Sequence, residues 1–183
     1  MVLSRLKKTF AGKNDIQVKS YYPIVLIVED DEEQLVLFAD FVLQEIEKLL
    51  DDENISDDQK QNLRDTRVIK VGDVDSLQKA VVKFKDVILV ILDCNLPDEK
   101  GGIANDQFVK ENHKITGQHK PVDIIIQNLP DIPITLISSL NRFRTMVSQY
   151  YASKYGLNLK FIKKSDVTEI KKNIASHLLQ RSK

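Results

Sequence analysis

The sequence contains one cysteine and no tryptophan, and neither sign of charge is in excess. The single thiol, Cys94, excludes an intrachain disulfide, which is typical of a reducing compartment, so we predict a cytoplasmic protein. Lys plus Arg and Asp plus Glu both number 27, so net charge gives no general attraction to nucleic acid or membrane. No apolar stretch approaches the roughly 20 residues of a membrane-spanning helix, and we predict no membrane span.

Residues 1–22 form a basic arm without the apolar core of a secretory signal. Val2, Leu3, Leu6 and Phe10 stand near helical spacing, which is compatible with a short amphipathic helix that docks on a membrane surface or a partner. A frayed or locally packed arm is the interpretation we favour for so short a segment.

Five short apolar runs alternate with helical segments in the rest of the chain. The runs are "IVLIV" (24–28), "RVIKV" (67–71), "VILVIL" (87–92), "IPITLIS" (132–138) and "LKFI" (159–162). Helices are predicted over residues 35–49, 75–84, 141–155 and 166–180, with a further one between the third and fourth runs. Strand followed by helix, repeated five times, predicts an α/β fold with a doubly wound, five-stranded parallel sheet and helices on both faces.

Reactive side chains follow the predicted strands at the points where they end. In strand order they are Glu29, Asp30 and Asp31, then Asp93, then Ser138 and Ser139, then Lys163 and Lys164. The carboxyl ends of parallel strands share one edge, so these groups should converge. Clustered carboxylates repel one another unless a cation joins them, and Mg²⁺ prefers such oxygen ligands. A carboxylate, a hydroxyl, an ammonium and Mg²⁺ together form a phosphoryl-transfer centre.

This order of groups resembles the receiver domain of two-component response regulators over residues 23–180. "VLIVEDD" is similar to the family's first strand, with its acidic pair at Glu29 and Asp30. "LDCNLPDEKG" resembles the phosphoacceptor loop, with Asp93, Pro97 and Gly101 at the D-x-x-x-P-x-x-x-G spacing. Each motif alone is weak, but their order on successive strands is specific.

The last two strands complete the resemblance. "PITLISS" is similar to the family's fourth strand, which puts the switch hydroxyl at Ser138 and the following small residue at Ser139. "FIKKSDV" resembles the end of the fifth strand, with Phe161 as the aromatic switch and Lys164 as the lysine. The resemblance implies a flavodoxin-like sheet with strand order 2-1-3-4-5.

The resemblance also implies a role for each residue. Asp93 would accept a phosphoryl group, and Lys164 would bind one of its oxygens. Asp30, Asp93 and the backbone carbonyl of Asn95 would hold Mg²⁺, with Glu29 helping through water. Movement of the switch hydroxyl toward the phosphoryl group would let the aromatic switch turn inward, which reshapes the face formed by helix four, strand five and helix five.

The implied function is that of a single-domain response regulator, a switch and not an enzyme with turnover. Its phosphodonor would be a sensor histidine kinase or a histidine phosphotransfer protein, and its target a downstream protein. The sequence after the fifth helix leaves no room for a DNA-binding module, so no direct binding to nucleic acid is expected. The resemblance also allows a homodimer through the face formed by helix four, strand five and helix five.

Two alternative functions belong to other classes. One is a pseudo-receiver that binds proteins without being phosphorylated, against which the retention of Glu29, Asp30, Asp93, Ser138 and Lys164 argues. The other is an aspartyl-nucleophile phosphatase, which needs a second acid two residues after the nucleophile. Asn95 occupies that position, so we disfavour the phosphatase.

Two departures from the family pattern leave alternatives open. Lys163 and Lys164 are adjacent, and Lys164 is favoured because it places Phe161 three residues earlier, whereas Lys163 would put Lys160 there. The receiver-like domain, residues 23–183, also has insertions around 51–66 and 102–130. Either 103–113 or 121–129 would be the third helix, whereas 51–66 is expected to be a solvated loop or an extension of the first helix, since a calcium loop would need a Gly and a closing Glu.

Several single residues are given structural interpretations. His113, His119 and His177 do not cluster, and packed or solvated roles are expected for them in place of metal ligation or phosphotransfer. Cys94 is expected to be a small buried residue, and Asp31 an N-cap of the first helix.

Overall fold

The structure, a computed structural model, describes residues 22–94, 96, 108–111, 114–138, 144–157 and 159–180. In chain order the described elements are β1 (Ile24–Val28), α1 (Glu32–Leu50), α2 (Asp57–Asp65), β2 (Arg67–Val71), α3 (Val74–Lys83), β3 (Val87–Asp93), β4 (Phe108–Glu111), β5 (Lys114–His119), α4 (Lys120–Asn128), β6 (Ile134–Ser138), α5 (Arg144–Tyr155), β7 (Lys160–Lys163) and α6 (Val167–Gln180). The predicted N-terminal arm lies outside the described residues apart from residue 22.

The main sheet has five strands in the order β2-β1-β3-β6-β7, and every neighbouring pair is parallel. This confirms the predicted doubly wound fold and its 2-1-3-4-5 strand order. The three central strands β1, β3 and β6 are buried along their whole length, because continuous apolar runs supply side chains to both faces.

Two apolar layers cover the faces of the sheet. On one face, α1 and α6 contribute residues such as Phe38, Val42 and Ile174. On the other face, α3, α4 and α5 contribute residues such as Leu77 and Ile125. Successive residues of a strand alternate between the faces, so both layers are built from the same central strands. None of the helices that the structure describes is long and apolar enough to cross a membrane.

The first helix begins at the acidic cluster as predicted. Oδ1 of Asp31 accepts hydrogen bonds from the backbone N–H groups of Glu33 (2.9 Å) and Gln34 (3.1 Å). Such a cap satisfies amides that have no partner within the helix. Asp31 is therefore the N-cap, and the acidic pair before it remains at the strand end.

Both predicted insertions contain regular structure that the sequence analysis missed. Residues 51–66 are neither a plain loop nor an extension of α1, because Ser56 and Gln59 form a capping box that starts a separate helix, α2. In the second insertion, β4 and β5 pair antiparallel and α4 follows directly. The third helix is therefore the one predicted at 121–129, and the described part of 103–113 includes a strand, not a helix.

Candidate functional site

Four residues from four strand ends lie at the carboxyl edge of the main sheet. Glu29 follows β1, Asp93 ends β3, Ser138 ends β6 and Lys164 follows β7. Parallel pairing of these strands aligns their ends, and in β6 and β7 the backbone N–H of Lys164 donates to the carbonyl of Ser138 at 3.2 Å. The sheet topology thus brings residues together that are far apart in sequence.

The ammonium group of Lys164 joins two carboxylates. Its Nζ lies 2.7 Å from Oε2 of Glu29 and 3.1 Å from Oδ2 of Asp93. Lys163 is exposed and is the last residue of β7. Of the two lysines left open by the sequence, Lys164 is the one whose ammonium contacts the acidic groups in the structure.

The carboxylates are strongly buried. Glu29 and Asp93 are only 1% and 3% exposed. Burial, with the nearby charge of Asp93, raises the pKa of Glu29 to about 7 in spite of the bond from Lys164. Burial likewise raises the pKa of Asp93, although Lys164 opposes this. For Lys164 itself, burial acts to lower the pKa, but the bond to Glu29 and the charge of Asp93 outweigh it and the pKa is raised.

The same edge has the donor set of a divalent-cation site. One carboxylate oxygen each from Glu29, Asp30 and Asp93 lies within 4.8 Å of the others. Oδ1 of Asp93 is buried and has no hydrogen-bond partner among the described residues. A hard cation such as Mg²⁺ prefers carboxylate oxygens and would compensate the excess of negative charge that one ammonium leaves. The residues present therefore fit the predicted Mg²⁺.

The two predicted switch residues lie on neighbouring strands. Ser138 is buried at the end of β6. Phe161 is partly buried in β7 and packs against the apolar layer that includes α3, α4 and α5. Asn95, Pro97, Gly101 and Ser139, which the resemblance also assigned to the site, lie outside the described residues.

A second polar cluster beside the site was not predicted as a unit. His119 was expected to be packed or solvated, and it is 1% exposed, with Nε2 at 3.3 Å from the carbonyl oxygen of Cys94. Cys94 is itself buried, as expected of a small core residue. The hydroxyl of Tyr151 contacts both the backbone of His119 and the side chain of Asp123. No spacing in the sequence signals this cluster, because its members come from a hairpin and from two separate helices.

Of the two remaining histidines, the structure describes only His177, which is not brought together with the site. His177 is half-buried on α6, and burial lowers its pKa. His113 lies outside the described residues. Neither residue is a member of the acidic cluster that the structure describes.

Comparison with known proteins supports the fold. No protein-family model matches the sequence, and no curated protein matches it significantly. Among solved structures, the non-phosphorylated receiver domain of the stress response regulator RcsB from Escherichia coli is 15% identical, with a TM-score of 0.50, and the match covers 85% of this chain and 92% of that chain. A response regulator receiver domain protein from Bacillus halodurans is 10% identical, with a TM-score of 0.50 over 85% and 96% of the two chains.

A response regulator receiver protein from Sinorhizobium medicae gives a similar result. It is 12% identical, with a TM-score of 0.51, and the match covers 88% of this chain and 98% of that chain. At such identities the likeness concerns the fold alone. The chain has the receiver-domain fold, as the sequence resemblance predicted.

Proposed function

We propose that the protein is a phosphorylation-controlled receiver whose phosphoacceptor is Asp93. The observation that carries the proposal is the bridge made by the Lys164 ammonium between the carboxylates of Glu29 and Asp93 at the carboxyl edge of a receiver fold. The phosphodonor is a sensor histidine kinase or a histidine phosphotransfer protein. The reaction yields the phosphorylated protein itself, which is a signalling state, and releases no product of catalysis. The chain is therefore not an enzyme with turnover.

In the proposed reaction, a carboxylate oxygen of Asp93 attacks the phosphorus of a phosphohistidine. An O–P bond forms, the P–N bond breaks and its electron pair leaves with the imidazole nitrogen. The Lys164 ammonium, already at 3.1 Å from Asp93, is placed to neutralise an oxygen of the transferred group. The side-chain hydroxyl of Ser138 donates to another of these oxygens once the phosphoryl group is in place.

Glu29, Asp30 and Asp93 would hold Mg²⁺, together with the backbone carbonyl of Asn95. When bound, the ion supplies neutralisation of charge on the phosphoryl oxygens. Glu29 and Asp30 contribute by attracting the cation to the edge of the sheet. Protonation of Glu29 would remove a negative charge from the site, and burial raises the pKa of this group.

The proposed output is a change in a protein-binding surface. Phosphorylation draws Ser138 toward the new phosphoryl oxygens, and this vacates space for Phe161, which packs on the layer that includes α5. The face formed by α5, β7 and α6 would then bind a downstream protein or a second copy of the chain. We place this switch in the cytoplasm, since the single cysteine suits a reducing compartment.

The test is incubation of the protein with Mg²⁺ and acetyl phosphate, followed by mass spectrometry. We expect an acid-stable, base-labile gain of one phosphoryl group in the wild type and none in Asp93→Asn. Asp131→Asn, which removes an exposed carboxylate at a distance from the site, is the matched control and should be labelled like the wild type. Absence of labelling in the wild type, or equal labelling of Asp93→Asn, favours the pseudo-receiver.

A further inference from the structure

A buried hydrogen-bond network contacts the backbone of Cys94, the residue next to Asp93 of the acidic site. Its first member is His119, the last residue of β5 and the N-cap position of α4. N-cap side chains normally accept hydrogen bonds from the first helical amides. The His119 side chain makes no such bond, and its Nε2 instead faces the carbonyl oxygen of Cys94 at 3.3 Å. A carbonyl can only accept, so the imidazole must carry a hydrogen on Nε2.

The second member is Tyr151, which is fully buried on α5. Its hydroxyl accepts from the backbone N–H of His119 at 3.0 Å. Two acceptors surround the same hydroxyl, namely the carbonyl of His119 at 2.9 Å and Oδ1 of Asp123 at 2.7 Å. A hydroxyl has one hydrogen, so it donates to only one of them at a time. The network therefore has two alternative hydrogen-bond arrangements.

The position of Cys94 connects this network to the proposed phosphoacceptor. Cys94 follows Asp93 directly, and its backbone N–H donates to the carbonyl of Ile137 on β6 at 3.1 Å. Its carbonyl group belongs to the peptide that leads to Asn95, and His119 is the side chain that contacts it. The sheet therefore holds the backbone N–H of Cys94, and the imidazole of His119 contacts its carbonyl.

The imidazole is suited to this task because it is neutral. Burial lowers the pKa of His119 to about 4, so the ring is uncharged at pH 7. A neutral donor orients the peptide without adding a positive charge that would compete with Lys164 or with a bound cation.

The contact between the hairpin and α5 is also extensive, since β5 is packed along that helix.

We propose that His119 and Tyr151 are positioning residues that fix the peptide after the phosphoacceptor and tie it to α5. The inference rests on the proposed function and adds to it a second connection between Asp93 and α5, independent of Ser138 and Phe161. Displacement of the peptide moves His119, and the Tyr151 hydroxyl then exchanges one acceptor for the other. The inserted hairpin is thereby part of the switch and not an appendage.

The experiment uses full-length protein and Mg²⁺ alone as the first probe, so that it does not depend on phosphorylation. Backbone amide and histidine ring nitrogen NMR signals are followed during the titration. In the wild type we expect the His119 ring to be the Nε2–H tautomer and its signals, with those of α5, to shift on addition of Mg²⁺. In Tyr151→Phe the ring should still respond while the α5 response falls to less than half.

Two matched variants separate this role from a general loss of stability. Tyr150→Phe removes a neighbouring hydroxyl whose partner is the exposed Lys154, and it should respond like the wild type. Thr135→Val removes a buried hydroxyl that donates to Asn173, on the face that α6 covers, and should lower stability without changing the α5 response. An α5 response in Tyr151→Phe equal to that of the wild type overturns the inference, as does a wild type in which neither α5 nor the His119 ring responds.

A second readout tests the positioning of the reacting group. His119→Leu removes the donor to Cys94, whereas His119→Gln retains an N–H that can replace it. With saturating Mg²⁺ and acetyl phosphate, the labelling rate of His119→Leu should fall by roughly twofold to tenfold, the effect of one hydrogen bond, and His119→Gln should recover most of it. Equal rates in all three proteins overturn the positioning role. If the wild type is not labelled at all, the proposed function fails, but the Mg²⁺ titration still decides whether the network connects the site to α5.

Discussion

The two polar clusters on either side of Cys94 differ in the way their buried groups are balanced. In the acidic site, the carboxylates of Glu29 and Asp93 share the ammonium of Lys164 and the carboxylate of Asp30 lies close by, while Oδ1 of Asp93 has no partner among the described residues. In the network of His119 and Tyr151, the groups are neutral apart from Asp123 and contact one another within hydrogen-bond distance.

This difference shows that burial has opposite consequences in neighbouring regions. Excess negative charge makes the acidic site costly in the free protein, so a cation gains binding energy by compensating it. In the network, the Tyr151 hydroxyl is hydrogen-bonded to its neighbours, so removing it leaves buried polar groups without that partner. The first region is organised to receive a ligand, and the second to hold its shape.

The largest expected effect is the removal of the shared ammonium. Lys164→Met leaves Glu29 and Asp93 buried together without a counter-charge, and we expect the free energy of unfolding at pH 8 to fall by about 3 kcal/mol. Urea denaturation in the presence of a chelator measures it. Lys163→Met, at the exposed neighbouring position, should change stability by less than about 0.5 kcal/mol. Equal effects of the two variants contradict the assignment of Lys164.

A smaller loss is expected from the other region. Tyr151→Phe keeps the ring but leaves the N–H of His119 and Oδ1 of Asp123 without the hydroxyl, which should lower the free energy of unfolding by about 2 kcal/mol. Thermal and urea unfolding of Tyr151→Phe and Tyr150→Phe, compared with the wild type, give the difference. A variant as stable as the wild type indicates that water replaces the hydroxyl.

The dependence of stability on pH should have opposite signs in the two regions. The pKa of Glu29 is raised from 4.5 to about 7 on folding, so its contribution is present below pH 4.5 and is lost as pH rises through about 7. The pKa of His119 is lowered from 6.5 to about 4, so its contribution is present above pH 6.5 and is lost as pH falls toward 4.

Single variants separate these two slopes, which oppose each other in the wild type. Without metal, Glu29→Gln should make stability fall more steeply on acidification from pH 7 to pH 4.5, and His119→Gln should make it fall less steeply. Each change is on the order of 1 to 2 kcal/mol over that range, as a shift of one pKa unit corresponds to about 1.4 kcal/mol. Urea midpoints measured at intervals of pH give both slopes, and slopes unchanged by either variant would show that other groups govern them.

The smallest expected effect is an increase in the free energy of unfolding, whereas most substitutions lower it. Asp93→Asn removes one of the buried like charges and should raise the free energy of unfolding of the metal-free protein by about 1 kcal/mol, although it abolishes labelling. Asp131→Asn, at an exposed position, should be close to neutral. Chemical denaturation with and without Mg²⁺ distinguishes them, and a loss of stability in Asp93→Asn would indicate that Lys164 fully compensates Asp93.

The sequence was informative where a pattern is local and uninformative where contacts are long-range. The apolar runs predicted the sheet, and the positions of the strand ends predicted that Glu29, Asp93 and Lys164 lie at one edge. Parallel pairing leaves little freedom in where strand ends lie. The pattern alone did not decide between Lys163 and Lys164. They are adjacent residues of the same type at a strand end, and they differ only in the direction in which their side chains point. In the structure, two short distances place the ammonium of Lys164 against the acidic groups.

The insertions contain the structure that the sequence did not predict. Ser56 and Gln59 have the local spacing of a capping box, a signal in the sequence that the prediction of a loop or a helix extension missed. The contact of His119 with Cys94 had no local signal at all, because 25 residues separate them and the hairpin places them together. Such pairs follow from tertiary packing and need the structure.

The burial of Cys94 has a practical consequence for kinetics. It is the chain's only cysteine, and burial, with the charge of Asp93, raises the pKa of its thiol. Only the thiolate is alkylated, so modification requires transient opening of the structure around Cys94. The rate of alkylation therefore reports how often the structure opens at a single position next to Asp93. The measurement needs no engineered label.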